Sequence, residues 1–431
     1  MGAEPRLTAG RVAWGLLAVC VGGLLVLLQA CLKTIETPAP PPAPAARLSS
    51  PETLTPFFTA LAALDGKATR QPVRILQIGD SHTANDSFSG RMRERLQARF
   101  GESGRGWLPA GIPFKYYRPH SVSVSESGWQ HVKPNDHAAV ALGLDAIAAI
   151  SQPPDASMTI ESTEPAGFDR FAVEFLTRPD GPAFTVAVDD GTPLRVSTAE
   201  SIAAVKDFDL PLDRVGHRVE LRTVGRQPVV LLGWSAERRV PGVIYENHGT
   251  IGATVGLLGQ ETPEAVSFEL RDRRPALLIV AFGTNEGFED GLDLDRYAAR
   301  FRDNVETLRH AAGGVPVLLL GTPDGNRVGH GCTATQCREE GDDCSWHEPA
   351  KLAPVRDLQR RVASQQGWAY WDWFDAMGGR CSIDRMTQAA PPRAMPDHVH
   401  LSTPGYQAMA DLLFDDLMRD YEIWKAQPRT S

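Results

Sequence analysis

The stretch of residues 73–82, VRILQIGDSH, joins an apolar run to a glycine turn that carries Ser81. A short apolar run that ends at a turn predicts a buried β-strand, here over residues 73–78. Open α/β sheets bind ligands at the carboxyl ends of their strands, so the sequence places the Ser81 hydroxyl where such sheets present reactive groups. Ser81 is therefore a candidate nucleophile, and a serine nucleophile needs a nearby base.

A candidate base lies more than three hundred residues later, in Asp397-His398-Val399-His400. His400 could accept the serine proton, and Asp397 could fix the tautomer of the imidazole and stabilise its charged form. The three-residue spacing allows a single turn to present both side chains to one place. We expect His398 to face solvent in a loop, because it is adjacent to Asp397 and less easily oriented by it.

Three groups are candidates for stabilising an oxyanion: the backbone N–H of Ser81, the backbone N–H of Gly252 and the side-chain amide of Asn285. Gly252 lies in the segment GTIGAT and has no Cβ that would block a substrate. Asn285 lies in FGTNE, directly after another apolar run and so at the same predicted edge. Either residue could instead be an ordinary turn residue.

Other polar residues fall near the same predicted edge. We expect Asp80 to be structural and to hold the turn by accepting hydrogen bonds. His82 either packs beside the turn or lines the pocket. His248 and Glu286 are candidates for lining the cleft, and nothing local decides the matter.

Further apolar runs repeat the pattern of the first strand. They lie at residues 243–245, 276–282, 315–320 and 368–373, with helical stretches around 294–312 and 350–366. Apolar residues recur every four positions from Phe88 to Phe100, which predicts a helix packed on the sheet. Strands that alternate with helices predict a parallel sheet with right-handed crossovers. The predicted fold class is α/β, with five strands in a three-layer, flavodoxin-like sheet.

The stretch of residues 122–237 breaks this rhythm. Residues 171–175, 184–188 and 218–223 alternate between apolar and polar side chains, with turn residues between the runs. The pattern predicts an antiparallel β-sandwich inserted into the α/β domain, which would comprise residues 50–121 and 238–425. The insert could shield one side of the fold or hold a polymeric substrate, and strand patterning does not decide between these roles.

Residues 1–33 predict a membrane anchor or an export signal. Two arginines precede an uncharged stretch, residues 12–32, which as a helix is about 30 Å long and could cross a bilayer. The arginines predict that the rest of the chain lies on the periplasmic or extracytoplasmic side. A cleaved signal peptide and lipidation at Cys31 are alternatives to an uncleaved anchor. Residues 34–49 are rich in proline, which predicts a stiff linker.

The net charge of −9 over 431 residues, with no run rich in lysine or arginine, argues against a nucleic-acid partner. Beyond the N-terminal segment lie Cys332, Cys337, Cys344 and Cys381. An even number of cysteines in an exported protein favours two disulfides, with the pairing open. A zinc site that includes His330 and His347 is the alternative, but the spacing lacks a C-x-x-C pair, so we expect no metal.

The segments around Ser81, Gly252, Asn285 and Asp397 to His400, in this order, resemble the SGNH branch of the GDSL esterases and lipases. The resemblance implies that Ser81 is the nucleophile and that Gly252 and Asn285 donate to the oxyanion. It also implies that Asp397 and His400 complete a catalytic triad that needs no metal or organic cofactor. The G-x-S-x-G motif of the α/β-hydrolases is absent from the sequence.

A narrower resemblance is to bacterial peptidoglycan O-acetylesterases. The segments that carry it are QIGDSHTA (77–84), RLQARFG (95–101), GRGW (104–107), GTNE (283–286), WDW (371–373) and MGG (377–379). That family carries a carbohydrate-binding-like β-module between its first and second segments, where this chain has its β-rich stretch. The chain departs from the family at Ser89, at Arg91 and in the cysteine-bearing loop 330–347, which leaves substrate detail open.

Together these features predict an exported serine carbohydrate esterase that removes O-acetyl groups from a cell-envelope glycan through an acyl-serine intermediate. The resemblance implies peptidoglycan as the glycan. An O-acetyltransferase would use the same triad, with a sugar hydroxyl in place of water. A non-catalytic glycan-binding protein is the alternative from a different class, and a lipase or thioesterase has no sequence signature here. The sequence does not indicate an oligomeric state.

Overall fold

The computed structural model describes residue 2 and residues 47–136, 140–152, 155–329, 337 and 345–428. From Arg47 onward the chain forms one compact unit. The apolar stretch 12–32 and the cysteines Cys332 and Cys344 lie outside the described residues. Within the described ranges, no helix is both long enough and apolar enough to cross a bilayer.

Strands and helices of this unit are numbered in chain order. The strands are β1 (Leu48–Ser49), β2 (Val73–Gly79), β3 (Gly104–Pro109), β4 (Val122–Ser127), β5 (Trp129–Val132), β6 (Ala148–Ser151), β7 (Ser157–Ser162), β8 (Phe168–Leu176), β9 (Ala183–Val188), β10 (Leu194–Ser197), β11 (Val205–Gly216), β12 (Arg218–Val224), β13 (Val230–Glu237), β14 (Val243–Gly249), β15 (Leu277–Ala281), β16 (Val317–Leu320) and β17 (Ala369–Trp371). The α-helices are α1 (Thr55–Asp65), α2 (Ser81–Ala84), α3 (Ser87–Phe100), α4 (Pro263–Arg273), α5 (Thr284–Gly287), α6 (Leu294–Ala311), α7 (Leu352–Gln366), α8 (Trp373–Met377), α9 (Ser382–Thr387) and α10 (Thr403–Ala426).

A mixed sheet with the strand order β1-β17-β16-β15-β2-β14 forms the centre of the α/β region. The strands from β17 to β14 pair in parallel, at the positions that the sequence predicts. Counted along the chain, these five strands lie in the order 5-4-3-1-2, which is the flavodoxin-like order. Strand β1 adds an antiparallel edge that the sequence analysis missed, because two residues are too short for a periodic pattern.

Helices cover both faces of this sheet. Ile75 and Ile78 of β2 belong to different hydrophobic clusters, as alternation along a strand requires. The first cluster is closed by α1, α3 and α10, and the second by α4, α6 and α7. Phe88, Met92 and Phe100 are buried in the first cluster, which confirms the predicted helix after the Ser81 turn.

The amino-terminal helix α1 begins at Thr55 and is not capped by Ser50. Ser50 has a φ of 53°, and its side chain makes no capping hydrogen bond. A helix-capping serine needs an extended backbone so that its hydroxyl can reach the N–H groups of the first turn, which explains why Ser50 cannot cap. A 3-10 turn, Pro51–Leu54, precedes α1 instead. By contrast, Ser402 accepts a hydrogen bond from the Gly405 N–H and caps α10.

Two antiparallel sheets occupy the β-rich stretch. Their strand orders are β10-β9-β12-β7-β4 and β11-β8-β13-β6-β5, and β3 pairs with β13. Phe171 and Trp234 from one sheet and Val186 and Leu221 from the other belong to a single hydrophobic cluster, so the two sheets share a core. Because β3 lies before residue 122, the antiparallel pairing reaches back into the segment between α3 and β4.

Candidate active site

Ser81 is the first residue of α2, directly after the carboxyl end of β2. A Cβ on Gly79 would lie 2.4 Å from the Ala281 carbonyl oxygen, so glycine allows β2 and β15 to approach at this edge. Asp80 caps α2 by accepting a hydrogen bond of 2.9 Å from the His82 N–H, as the sequence analysis expects of a structural residue. Burial raises the pKa of Asp80 to about 7, although that hydrogen bond opposes the shift.

The structure brings Ser81, His400 and Asp397 into one chain of hydrogen bonds. The Ser81 Oγ lies 2.8 Å from the His400 Nε2, and the His400 Nδ1 lies 2.8 Å from the Asp397 Oδ2. The other carboxylate oxygen of Asp397 accepts hydrogen bonds of 2.9 Å from the backbone N–H groups of Val399 and His400. The turn therefore fixes the carboxylate, and the carboxylate fixes the ring.

The pKa values of His400 and Asp397 favour proton transfer along this series of hydrogen bonds. The hydrogen bond with Asp397 raises the pKa of His400, and partial burial opposes the rise. Burial alone would raise the pKa of Asp397, but hydrogen bonds from the His400 ring and from two backbone N–H groups hold that pKa well below its usual range. Asp397 is therefore ionised near neutral pH and favours a proton on His400. The side chains of His400 and Asp397 are 37% and 48% exposed, so the site opens to solvent.

The two other predicted site residues, Gly252 and Asn285, follow β14 and β15, the strands on either side of β2. Gly252 has a φ of +73°, a conformation that favours glycine, and a Cβ there would meet nothing within 4 Å. The Asn285 Nδ2 donates a hydrogen bond of 2.7 Å to the Ala253 carbonyl. A primary amide has two N–H donors, so one remains after this bond to act on an oxyanion.

Two further contacts hold the Gly252 loop in place. The Thr250 N–H donates to the Gly79 carbonyl at 3.0 Å, and the Glu286 Oε1 accepts from the Val255 N–H at 2.7 Å. The loop is thus bound both to the strand before Ser81 and to the helix that carries Asn285. Glu286 is buried and supports the loop, and it also lines a cavity of about 210 Å³ beside it.

His82 lies behind the proposed base. Its Nδ1 is 2.9 Å from the Tyr406 hydroxyl, and its ring centroid is 5.2 Å from that of His400 and 5.7 Å from that of Trp373. Burial lowers the pKa of His82 to about 3, so the ring is neutral at physiological pH. Of the two alternatives from the sequence, the structure shows packing beside the turn.

His398 is buried, so the prediction from the sequence that it faces solvent in a loop is wrong. The residue is 7% exposed, and its ring stacks on Trp346 with 3.8 Å between centroids and 9° between planes. Its backbone N–H donates to Met395, and its carbonyl accepts from the Asn326 N–H at 2.8 Å. The stacking partner comes from a segment fifty residues away, so no local pattern could have predicted this burial.

Cys337 and Cys381 form a disulfide beside this turn. The Asn326 Nδ2 lies 3.1 Å from the Cys337 sulfur, and Cys381 immediately precedes α9. Asp384 of α9 has a carboxylate oxygen 3.3 Å from the His398 Nδ1. One of the expected disulfides is therefore present, whereas Cys332, Cys344 and His330 lie outside the described residues.

His248, a candidate for the cleft, is buried away from solvent. Its Nδ1 lies 3.0 Å from the Asp145 Oδ1, and its Nε2 lies 3.7 Å from the Glu246 Oε2. Burial alone would lower the pKa of His248, but Asp145 and Glu246 raise it to about 9, so the three form a buried charged cluster. In the part of the chain that the structure describes, no group of three or more His, Cys, Asp or Glu side chains could hold a metal ion.

Comparison with known proteins agrees with this fold. The sequence model of the GDSL-like Lipase/Acylhydrolase family matches residues 218–408. The match includes Asn285 and His400 and begins after Ser81. The family match and the structural likeness support a serine esterase that resembles the SGNH/GDSL hydrolases.

Among such esterases, the chain resembles peptidoglycan O-acetylesterases. A solved structure of a peptidoglycan O-acetylesterase in action is 25% identical and superposes with a TM-score of 0.72, over 88% of this chain and 99% of that chain. A family two carbohydrate esterase from Cellvibrio japonicus is 14% identical, with a TM-score of 0.25 over 70% of this chain and 98% of that chain. A putative GDSL-like lipase from Parabacteroides merdae is 17% identical, with a TM-score of 0.28 over 42% and 74%. No curated protein matches the sequence.

Proposed function

We propose that this chain is an exported carbohydrate esterase that removes O-acetyl groups from a cell-envelope glycan, with peptidoglycan as its substrate. The observation that carries the proposal is the continuous hydrogen-bonded chain from the Ser81 Oγ through His400 to Asp397, with both steps at 2.8 Å. The resemblance to a peptidoglycan O-acetylesterase supports the choice of glycan.

In the first half of the reaction, the Ser81 Oγ attacks the carbonyl carbon of the acetyl ester while its proton moves to the His400 Nε2. The carbonyl π electrons move to oxygen, and the N–H groups of Ser81, Gly252 and Asn285 stabilise that oxyanion. The C–O bond to the sugar then breaks, and the leaving sugar oxygen takes the proton from His400. The products are acetyl-Ser81 and a free sugar hydroxyl.

In the second half, water attacks acetyl-Ser81 and gives a proton to His400. The second oxyanion forms at the same donors, the bond to the Ser81 Oγ breaks, and His400 returns the proton to that oxygen. Acetic acid leaves and gives its remaining proton to solvent, and the resting chain of hydrogen bonds is restored. Asp397 stays ionised throughout and stabilises the transient imidazolium.

The proposal also covers the size of the substrate and the cellular location of the enzyme. His400 and Asp397 are partly exposed, which favours an acetyl group on the surface of a polymer over a small ester that must be enclosed. We infer that the two antiparallel sheets form an inserted β-sandwich that holds the glycan chain. The N-terminal segment would anchor the enzyme in the membrane, with residues from Arg47 onward on the extracytoplasmic side.

The test is acetate release by the full-length chain from acetylated peptidoglycan, acetylated xylan and acetylated alginate. We expect the fastest release from peptidoglycan, and no release by the Ser81→Ala variant. Peptidoglycan stripped of its acetyl groups by mild alkali is the matched blank. Release from xylan or alginate at a higher kcat/KM than from peptidoglycan would contradict the choice of substrate. Absence of release from all three by folded protein would contradict the esterase proposal itself.

A further inference from the structure

The segment from Thr250 to Ala253 forms a tight turn that contains Gly252, one of the proposed oxyanion donors. The Ala253 N–H donates a hydrogen bond of 3.2 Å to the Thr250 carbonyl, which closes the turn. Gly252 occupies the third position, and its φ of +73° has the sign that a type II turn requires there. The direction of the Gly252 N–H therefore depends on how the two ends of this turn are held.

The ends of the Gly252 turn are held from different parts of the molecule. The Ala253 carbonyl accepts from the Asn285 amide at one end, and the Thr250 N–H donates to the Gly79 carbonyl at the other. A third contact comes from the β-rich stretch, because the Thr250 Oγ1 donates a hydrogen bond of 3.0 Å to the Asp145 carbonyl. Thr250 and Asp145 are 6% and 5% exposed. Loss of this bond would thus leave a buried polar group without a partner.

Asp145 precedes β6 in the β-rich stretch, and both oxygens of its carboxylate are bound. The Oδ1 lies 3.0 Å from the His248 Nδ1, and the Oδ2 accepts a hydrogen bond of 2.5 Å from the Trp107 Nε1. His248 belongs to β14, the strand that leads into Thr250. Although burial lowers the pKa of His248, Asp145 and Glu246 raise it to about 9, so a charged imidazolium strengthens its bond to Asp145 near neutral pH.

The backbone around Asp145 is held as well as its side chain. The Ala146 N–H donates to the Gly143 carbonyl at 2.9 Å, which closes a turn around Asp145. The Leu144 N–H donates at 2.7 Å to the carboxylate of Glu269, a buried residue of α4. The Asp145 carbonyl therefore has a fixed position from which it can anchor a side chain of the neighbouring loop.

We propose that Asp145 is a positioning residue for the oxyanion site and that it fixes the Gly252 turn through Thr250. The proposal rests on the proposed function, and it gives the β-rich stretch a part in catalysis besides shielding the fold or holding a polymer. Asp145 acts through Thr250 and not on the reacting atoms, by keeping the turn in the orientation that directs its N–H to the oxyanion. A donor oriented in advance stabilises the transition state more than it stabilises the substrate.

The test compares Thr250→Val, which removes the hydroxyl and keeps the shape of the side chain, with Thr250→Ser, which keeps the hydroxyl. The full-length chain is assayed on an aryl acetate, whose turnover needs no glycan. We expect Thr250→Val to lower kcat by roughly tenfold and to change KM by less than about twofold, because loss of a whole oxyanion donor costs about 10²- to 10³-fold and misorientation costs a part of that. Thr250→Ser should keep kcat near that of the unaltered chain.

Two further variants separate positioning from stability. Thr262→Val also removes a hydroxyl that contacts the β-rich stretch, since the Thr262 Oγ1 accepts from the Leu142 N–H at 2.9 Å, but this contact lies outside the Gly252 turn. It should lower the melting temperature and leave kcat unchanged. Asp145→Ala frees the anchoring carbonyl and should lower kcat about as much as Thr250→Val. The combination of these two should add little, because both loosen the same contact.

Several results would overturn the proposal. In Thr250→Val they are an unchanged kcat, or a rise in KM without a fall in kcat. An equal fall of kcat in Thr262→Val would assign the effect to stability, and additive losses in Asp145→Ala/Thr250→Val would give the two residues separate roles. If Ser81→Ala abolished turnover while Thr250→Val kept it, this inference alone would fail and the proposed function would stand. If the unaltered chain turned over no aryl acetate, the proposed function would fail, and this inference with it.

Discussion

The indole ring of Trp346 stacks on the imidazole of His398, with 3.8 Å between the ring centroids. His398 sits between Asp397 and His400 in the sequence, so this stack holds the outer side of the turn that presents both residues to Ser81. We infer that Trp346 positions the base without touching the substrate.

Trp346→Ala should therefore reduce kcat on an aryl acetate by roughly tenfold, with a smaller change in KM, because misplacement of a catalytic group mainly affects the transition state. Trp346→Phe keeps an aromatic surface over His398 and should restore most of the rate. Steady-state kinetics on both variants measure the effect. A fall in melting temperature with no change in kcat would show that the stack serves stability alone.

Ser81→Ala removes the proposed nucleophile. We expect a loss of about 10⁴-fold or more in kcat on an aryl acetate, since removal of a nucleophile leaves only binding and oxyanion stabilisation. Labelling by a fluorophosphonate, followed by mass spectrometry, should place the adduct on Ser81. Ser87→Ala changes a serine one helix further on and is the matched control. An adduct or full activity in Ser81→Ala would refute the role of this residue.

The pH dependence follows from the pairing of His400 with Asp397. The imidazole must be neutral to accept the Ser81 proton, so kcat/KM should fall as the pH drops through the pKa of His400. Because Asp397 raises that pKa, the acid limb should lie above the ordinary histidine value of about 6.5.

Asp397→Asn should move this limb to lower pH and lower the plateau by roughly 10³- to 10⁴-fold. Asp80, whose pKa burial raises to about 7, also titrates in this range, so Asp80→Asn is the control that separates the two groups. A limb that disappears in Asp80→Asn and stays in place in Asp397→Asn would contradict the assignment to His400.

Asn285→Ala should lower kcat by about 10²- to 10³-fold, the usual effect of removing one oxyanion donor. The variant also loses the hydrogen bond to the Ala253 carbonyl, so the Gly252 loop could shift. Asn304→Ala tests that possibility, because Asn304 donates to the Val255 carbonyl of the same loop from outside the site. If both variants lost activity equally, Asn285 would act through the loop and not on the oxyanion.

Local sequence patterns predicted much of this architecture. The apolar runs located the five parallel strands, and the four-residue repeat from Phe88 to Phe100 located α3. The spacing of Asp397 and His400 predicted a shared turn, and the structure brings that turn to Ser81.

Local sequence patterns did not predict which polar side chains are buried, because this burial depends on partners that are distant in sequence. His398 is buried because Trp346 covers it, and Arg93 is buried beside Arg105 because β3 folds back next to α3. Neither residue has neighbours in sequence that reveal its environment. A lone histidine or arginine in a polar stretch is predicted to be exposed, and only contacts with residues distant in sequence can bury it.

The Cys337–Cys381 disulfide lies in the same shell as Trp346 and His398, so its removal should affect both stability and catalysis. The sequence separation of 44 residues corresponds to about 4 kcal/mol of unfolded-state entropy in the chain-entropy argument. The double variant Cys337→Ala/Cys381→Ala should therefore melt several degrees lower and, because Asn326 and Asp384 lose their fixed positions around His398, show a lower kcat. Treatment with a phosphine reductant should bring a Cys332→Ala/Cys344→Ala chain, in which Cys337–Cys381 is the disulfide left to reduce, to the level of the variant. Cys332→Ala/Cys344→Ala is the matched control. Unaltered kcat in the Cys337→Ala/Cys381→Ala variant would show that the turn holds Asp397 and His400 without help from the disulfide.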